Sequence, residues 1–377
     1  MEQVERILQV LGSLEIGGAE VMIMNLYRQI DRSKIQFDFI VHTSRHCFFE
    51  DEISRLGGRV YRVPRFSGFN ILQYLRAWKD FFRNHPEFRV VHSHVTSSSA
   101  LHLGIAKQFH LYTIAHSHSV KMFHGIKGVM DRVFSFPTRW IANQFFACSK
   151  AAGQARFGRR VVDSCKFTII KNALDVNRLG YSPDTRETYR KQLNLDGKFV
   201  VGHVGRFDAM KNHDFLIRLF SLVHERQPNA VLVLIGDGEQ RATIETLIKR
   251  FALEDAVKLL GTRSDVVELL QAMDVFVFPS IAEGLGISVI EAQATGLPCI
   301  VSSCVPEDVR ITGLVKFLDL KDPMEMWVEA ILQYVNGHKR SSHFEALTNH
   351  GYDVVATAEY LQAFYLNAIN HDTRVTR

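Results

Sequence analysis

Glu283 and Glu291 stand at an E-x7-E spacing in PSIAEGLGISVIEAQATGLPCIVSS. The turn Gly284-Leu285-Gly286 follows the first glutamate, and the stop Gly296-Leu297-Pro298 comes shortly after the second. Carboxylates accept hydrogen bonds from sugar hydroxyls, and a glycine-flanked turn opening a helix presents unpaired backbone N–H groups to a phosphate or sugar oxygen. Two bare glutamates at this spacing are common by chance. The strand VFVFPS before them and the G-L-P stop after them make the pattern specific. Upstream, Arg206 follows the apolar run FVVGHVG, and Lys211 comes five residues later on a loop that opens a helix. A guanidinium fork beside an ammonium suits a diphosphate, although surface loops often carry such pairs. Both are read as lying on an exposed strand-end loop. GDGE, with Gly236, Gly238 and Glu239, forms a similar turn after AVLVLI and is a weak signal alone.

In the first half, His92-Ser93-His94 and His116-Ser117-His118 end two neighbouring strand candidates. Residues i and i+2 of a strand share a face, so either triplet aims two imidazoles at one point. Zinc is one reading. No H-E-x-x-H is present and no cysteine lies nearby in sequence, so hydrogen bonding or substrate positioning fits better, against a bland alternative of locally satisfied strand ends. Gly17 and Gly18 follow the first strand, where glycine lets a backbone approach a phosphate, though a tight turn needs glycine too. Neither G-x-G-x-x-G nor G-x-x-x-x-G-K-[ST] is present.

The elements that position these residues alternate. An apolar run from Ile7 to Leu11, the glycine loop and the helical AEVMIMNLYRQI are followed by FDFIVHT, DEISRLGG, RVYRVP, NILQYLRAWKDFFRNHP, RVVHSH, SSALHLGIAKQF and YTIAHSH, strand and helix in turn. DRVFSFPTRWIANQFFACS is a helix disturbed at Pro137 that ends in a short strand. NALDVNRLGYSPDTRETYRKQLNLDGK is polar, shows no sheet pattern and is the candidate linker. A second series then supplies the strands FVVGHVGR, AVLVLIGDG, AVKLLG, VFVFPS and LPCIVSS with helices between them, and AEYLQAFYLNAI is a last helix that could pack on either half. Strands alternating with helices predict an α/β protein of two parallel-sheet domains, with ligands at the carboxyl ends of the strands.

With 377 residues, 46% of them hydrophobic and 23% charged, the chain is long and apolar enough for two cores; disordered, collagenous and coiled-coil classes are excluded. Five cysteines without a C-x-x-C argue against a disulfide framework or zinc ribbon and for a reducing compartment. The acidic start MEQVERILQVLGS lacks the pattern of a signal peptide, and no stretch of about 18 apolar residues spans a membrane, so a cytoplasmic location is expected. Residues 1–170 hold 23 Lys and Arg against 13 Asp and Glu, a balance of +10, whereas residues 171–377 hold 22 against 27, a balance of −5. A basic half attracts nucleic acid, an anionic membrane face or a phosphorylated small molecule, or is simply a solvated surface. None of the standard nucleic-acid readout elements is present, so no nucleic-acid partner is expected.

With these motifs in view, the sequence resembles the retaining glycosyltransferases of the GT-B fold, glycosyltransferase family 4 or group 1. The resemblance is carried by the early Gly-Gly loop, the strand-end histidines, G-R-x4-K (Gly205, Arg206, Lys211), G-x-G-E (Gly236 to Glu239) and S-x-x-E-G-x-G-x4-E-A-x-A-x-G-L-P (Ser280 to Pro298). Only the last is sharply diagnostic. Together with YTIAHSHS, it is most similar to the exopolysaccharide and capsule transferases of the EpsF type.

The resemblance implies two Rossmann-like domains facing each other across a cleft. Residues 1–172, with a returning helix at about 355–377, would bind the acceptor, and residues 173–354 the nucleotide-sugar. Arg206 and Lys211 would neutralise the donor diphosphate in place of a metal ion, so that no cofactor or metal is required. Glu291 would hold the ribose, Glu283 the donor sugar, and the backbone of Gly284, Leu285 and Gly286 would complete the cradle. Gly17, Gly18, Gly205, Gly236, Gly238 and Glu239 would also line the donor. The active-site histidine falls on the HSHS segment, at His118 or His116, with His118 favoured. The implied acceptor is a lipid-diphosphate-linked sugar or a saccharide, and the basic stretch VKMFHGIKGVMDRVFSFPTRW implies peripheral contact with the anionic inner face of the membrane. The sequence departs from the family in having Asn172-Ala173-Leu174-Asp175 where N-G-[IV]-D is usual, and Leu285 where a bulkier residue is usual. The rival functions are a sugar-nucleotide epimerase or hydrolase of the same architecture and a non-catalytic nucleotide-sugar-binding subunit.

Overall fold

A computed structural model describes residues 4–118, 129 and 132–372. The chain divides into two units, residues 1–175 with 351–377, and residues 176–350. In the first, β1 (Glu5–Val10), β2 (Ile35–Val41), β3 (Val60–Arg62), β4 (Val90–Ser93), β5 (Tyr112–Ser117), β6 (Gln144–Ala147) and β7 (Phe167–Ile169) form a seven-stranded parallel sheet in the order β3-β2-β1-β4-β5-β6-β7. In the second, β8 (Phe199–Val204), β9 (Ala230–Ile235), β10 (Val257–Leu259), β11 (Val275–Phe278), β12 (Cys299–Ser302) and β13 (Val315–Leu318) form a six-stranded parallel sheet in the order β10-β9-β8-β11-β12-β13. This is the α/β class read from the alternating pattern. A parallel sheet is covered on both faces, so its central strands run apolar throughout. Accordingly β2 and β9 are buried at every position. Asp38, a polar residue inside β2, is fully buried and is held by a bidentate Arg6 fork at 2.6 Å on each oxygen.

Three features differ from the sequence reading. The stretch read as a linker contains the helix Pro183–Gln192, with Ser182 as its N-cap and no buried side chain. It is fixed by charge rather than apolar burial: Arg186 and Arg190 both pair with Asp274, ahead of β11. The edge strands β7 and β13 were not foreseen; at three and four residues they are too short to show a period. The last helix, Val354–Asp372, packs in the first unit, where Leu361, Tyr365, Ala368 and Ile369 join its core beside Phe37 and Tyr27.

Candidate active site

In both sheets the order in which successive strands are added reverses once, between β1 and β4 and between β8 and β11. At such a switch point two successive loops diverge and leave a crevice at the strands' carboxyl ends. The singled-out residues gather there: Gly17 and Gly18 after β1 and the histidines on β4 and β5; Arg206 and Lys211 after β8, and Glu283 to Gly286 after β11.

In the second unit the loops after β8 and β11 are stitched together. Ile281 N donates to the Met210 carbonyl at 2.8 Å, and Asn212 Nδ2 donates to the Pro279 carbonyl at 3.2 Å. Lys211 Nζ lies 2.7 Å from Glu283 Oε1 and 4.5 Å from the centre of the Phe278 ring. The side chains of Lys211 and Glu283 are only 17% and 13% exposed, which corrects the reading of Lys211 as a loop-surface residue. Arg206 is exposed, and its side chain has no partner among the described residues. One cation is therefore pre-set by a carboxylate and an aromatic face, and the other stands exposed without a side-chain partner among the described residues.

Gly286, at φ +84°, forms the N-cap of the helix Ile287–Ala294, a left-handed position that favours glycine. Gly236, at φ +138°, comes so close to the Gly205 carbonyl that a Cβ would lie 2.0 Å from its oxygen. Gly236 and Gly238 thus let the loops after β8 and β9 interlock, with Phe207 N bonded to the Asp237 carbonyl at 3.0 Å. Glu239 is exposed at the end of that turn. Glu291 lies one helical turn beyond Gly286, half-buried and without a side-chain partner among the described residues. Burial pushes its carboxyl up to about 7.

In the first unit His92 and His116 are wholly buried, and His94 and His118 half-buried. His92 Nε2 lies 3.2 Å from His116 Nδ1, and His94 Nδ1 lies 2.7 Å from His118 Nε2. Behind them, Tyr365 Oη meets His92 Nδ1 at 2.7 Å, and Gln9 Oε1 meets His94 Nε2 at 2.9 Å. Burial and the neighbouring imidazoles hold His92, His94 and His116 well below the usual imidazole value, and burial holds His118 at about 4, so the four are neutral near pH 7. Ligating atoms of His92, His94 and His116 lie within 4.8 Å of one another. A metal ion ligated by His92 would displace one of that ring's two hydrogen bonds, to Tyr365 or to His116.

Gly17, in extended conformation at φ −154°, is the N-cap of the helix Gly18–Gln29, so neither a left-handed turn nor strain explains it. Gly17 and Gly18 belong to the first unit, and the other donor-side residues to the second. Most of the basic stretch between residues 120 and 140 lies outside the described residues, at 120–128 and 130–131. Gln9 and Tyr365 escaped the sequence reading. A glutamine inside the run ILQVL was the available signal for Gln9; nothing local marked Tyr365.

The descriptions "Glycosyltransferase Family 4" and "Glycosyl transferases group 1" match residues 16–178 and 185–346. The chain is 33% identical over 358 residues, 93% of each chain, to the putative glycosyltransferase EpsF of Bacillus subtilis (strain 168). It is 35% identical over 146 residues, 38% of each chain, to the UDP-Gal:alpha-D-GlcNAc-diphosphoundecaprenol alpha-1,3-galactosyltransferase of Escherichia coli. Among solved structures, Anabaena HepE in complex with UDP and glucose superposes with a TM-score of 0.74 at 18% identity, covering 99% of this chain and 98% of that one, a likeness of fold. With two parallel-sheet units of the GT-B class and a curated relative matched almost end to end, the chain belongs to the group 1, family 4 glycosyltransferases and is an enzyme of that kind.

Proposed function

We propose that the protein is a retaining, metal-independent hexosyltransferase that moves a sugar from a UDP- or GDP-sugar to a lipid-diphosphate-linked or saccharide acceptor in exopolysaccharide or capsule synthesis. The observation that carries this reading is the assembly of Arg206, Lys211, Glu283 and Glu291 around one switch point of the second sheet. A complete set of charged groups there speaks against a non-catalytic subunit. The lipid-linked acceptor is supported by the Escherichia coli relative, named for a diphosphoundecaprenol substrate.

Retaining glycosidases place two carboxylates about 5 Å apart, one of them a nucleophile. Glu283 is instead engaged with Lys211 at 2.7 Å, an arrangement suited to holding a cation in place. In the proposed reaction Arg206 and Lys211 stabilise the departing nucleoside diphosphate, and its phosphate oxygen takes the acceptor's proton on the same face of the sugar. The anomeric carbon keeps its configuration, and the protein supplies charge and orientation. A panel of nucleotide-sugars with an undecaprenyl-diphosphate-linked sugar, in EDTA, should yield one product whose new linkage keeps the donor's anomeric configuration. An inverted product, or transfer only after Mg²⁺ or Mn²⁺ is added back, would overturn the mechanism.

Glu291 gives the donor site a pH signature. Two ribose hydroxyls donate best to an ionised carboxylate, while the free carboxyl, at about 7, is mostly protonated below that pH. Binding therefore costs a proton release at low pH. Affinity for an intact nucleotide-sugar should rise by up to about tenfold per unit as pH increases toward 7 and then level off. Burial holds the nearby His203 and His213 low, the latter at about 4, so neither titrates in this window. Calorimetry from pH 5 to 8 should show the rise in the parent and a flat profile in Glu291→Gln; equal slopes would remove Glu291 from the donor site.

No helix among the described residues is long and apolar enough to cross a membrane. In the first unit, Val129, Val133, Phe136 and Trp140 are 62%, 59%, 48% and 66% exposed, and Arg139 lies over the Phe136 ring at 4.0 Å. An exposed apolar row beside basic residues, in the half carrying the +10 balance, is suited to lie on anionic lipid. The protein should sediment with phosphatidylglycerol vesicles at low salt, and release as salt rises; Trp140→Glu should weaken the association. Equal recovery in the supernatant with neutral and anionic vesicles would exclude peripheral attachment.

A further inference from the structure

The imidazoles at the ends of β4 and β5 form two chains with a common origin. In one, Gln9 Nε2 donates to Tyr365 Oη at 3.4 Å, and Tyr365 Oη meets His92 Nδ1, whose Nε2 meets His116 Nδ1. In the other, Gln9 Oε1 meets His94 Nε2, and His94 Nδ1 meets His118 Nε2. Each chain ends on a buried ring nitrogen, His116 Nε2 and His118 Nδ1, with the Asn172 amide beside His118.

Hydrogen-bond bookkeeping fixes both chains at once. Tyr365 has a single hydroxyl proton, and a neutral imidazole has one donor and one acceptor. With the Gln9 amide hydrogen on Tyr365, the tyrosine donates to His92, His92 Nε2–H donates to His116 Nδ1, and His116 ends with Nε2–H. Gln9 Oε1 then accepts from His94 Nε2–H, His94 Nδ1 accepts from His118 Nε2–H, and His118 ends with a lone pair on Nδ1. All four rings carry the proton on Nε2. Turning the Gln9 amide over reverses every bond, and all four carry it on Nδ1. Reversing the His94–His118 chain alone would set two donors or two acceptors against each other at the amide, and reversing the His92–His116 chain alone would set two acceptors together at the amide oxygen or leave Tyr365 accepting from both Gln9 and His92 with its own buried proton unpaired. The neighbouring Asn172 has an amide that can serve His118 in either polarity, so it selects neither.

We propose that Gln9 is a positioning residue that locks the four histidines into one joint tautomer, so that His116 Nε2 and His118 Nδ1 always end the chains as one donor and one acceptor. Such a pair matches sugar hydroxyls, which both give and take hydrogen bonds, and disfavours phosphate or carboxylate oxygens, which only accept. The sugar assignment rests on the transferase reading; the tautomer lock does not.

The test is residue-assigned ¹⁵N spectroscopy of the histidine rings near pH 7.5. In the parent, all four should share one tautomer; unlike protonation sites among them would overturn the lock, whether or not transfer is observed. Gln9→Glu, recorded with its carboxylate ionised, presents two acceptors. It should leave His94 and His118 protonated on Nε2 while His92 and His116 move to Nδ1; four unchanged rings would also overturn the lock. Gln9→Leu, checked by its melting profile, should mix the tautomers and lower kcat by about 10–100-fold, the scale for losing a group that orients a working imidazole, with nucleotide-sugar affinity unchanged. Unaltered kcat with mixed tautomers would keep the lock and remove its role in sugar recognition.

Discussion

Arg206→Ala lowers kcat/KM by about 10²-fold or more and leaves the melting temperature unchanged. The exposed guanidinium has no side-chain partner among the described residues, so its removal costs the fold little. In the proposed reaction it faces the charge that grows on the departing diphosphate, and one lost donor of that kind costs about 10²–10³-fold. Lys211→Ala produces a rate loss of the same order together with a loss of stability. Its ammonium is the 2.7 Å partner of Glu283, whose side chain is 13% exposed and would be left unpaired at a cost of about 1–3 kcal/mol. Steady-state kinetics with thermal melts separates the two variants. Undiminished turnover in both would sink the diphosphate clamp, and a large drop in the melting temperature of Arg206→Ala would show that its charge serves the fold.

Arg340→Ala destabilises the second unit by about 3–5 kcal/mol, the scale for breaking a buried charged network. Its guanidinium donates to the Thr295 carbonyl at 3.0 Å and to Thr295 Oγ1 at 2.8 Å, and reaches the Gln271 and Met273 carbonyls at 2.9 and 3.1 Å. It also lies 4.7 Å from the centre of the Tyr181 ring. Thr295, Gln271 and Met273 are buried, so the bonds lost with the fork are not replaced by water. The contacts join the ends of the helices Val266–Gln271 and Ile287–Ala294, the second of which carries Glu291. Arg340→Lys restores the charge but not the five-donor geometry and should recover only part of the loss. Denaturant unfolding decides this; a midpoint for Arg340→Ala equal to the parent's would show the network to be dispensable.

Arg340 marks a limit of reading sequence. A lone arginine in NGHKRSSH has no local pattern, because its acceptors come from two distant segments, around Gln271 and at Thr295. The helix Pro183–Gln192 escaped for a related reason: it buries no side chain, so apolar period was absent, although Ser182-Pro183-Asp184 was a start signal. The E-G-L-G turn, G-R-x4-K and the paired H-S-H triplets were legible, because glycines and charged residues directly after apolar runs are spaced by strand and loop geometry. The Lys211–Glu283 pair and the Gln9–Tyr365 contact were not, since both depend on which loops and helices become neighbours at the switch points.

The return of the helix Val354–Asp372 has a consequence for synthesis on the ribosome. Tyr365 and Leu361 complete a core begun by Ile7, Phe37 and Phe39, yet they are translated only after all of the intervening second unit. The second unit can fold vectorially, as its residues emerge. Until the helix Val354–Asp372 emerges, the first unit lacks the element that covers apolar β1 and β2 side chains and closes its histidine chains. The unit whose residues are made first is therefore completed only after the second, and a ribosome stalled just before the helix Val354–Asp372 would display the second unit whole beside a first unit still lacking part of its core.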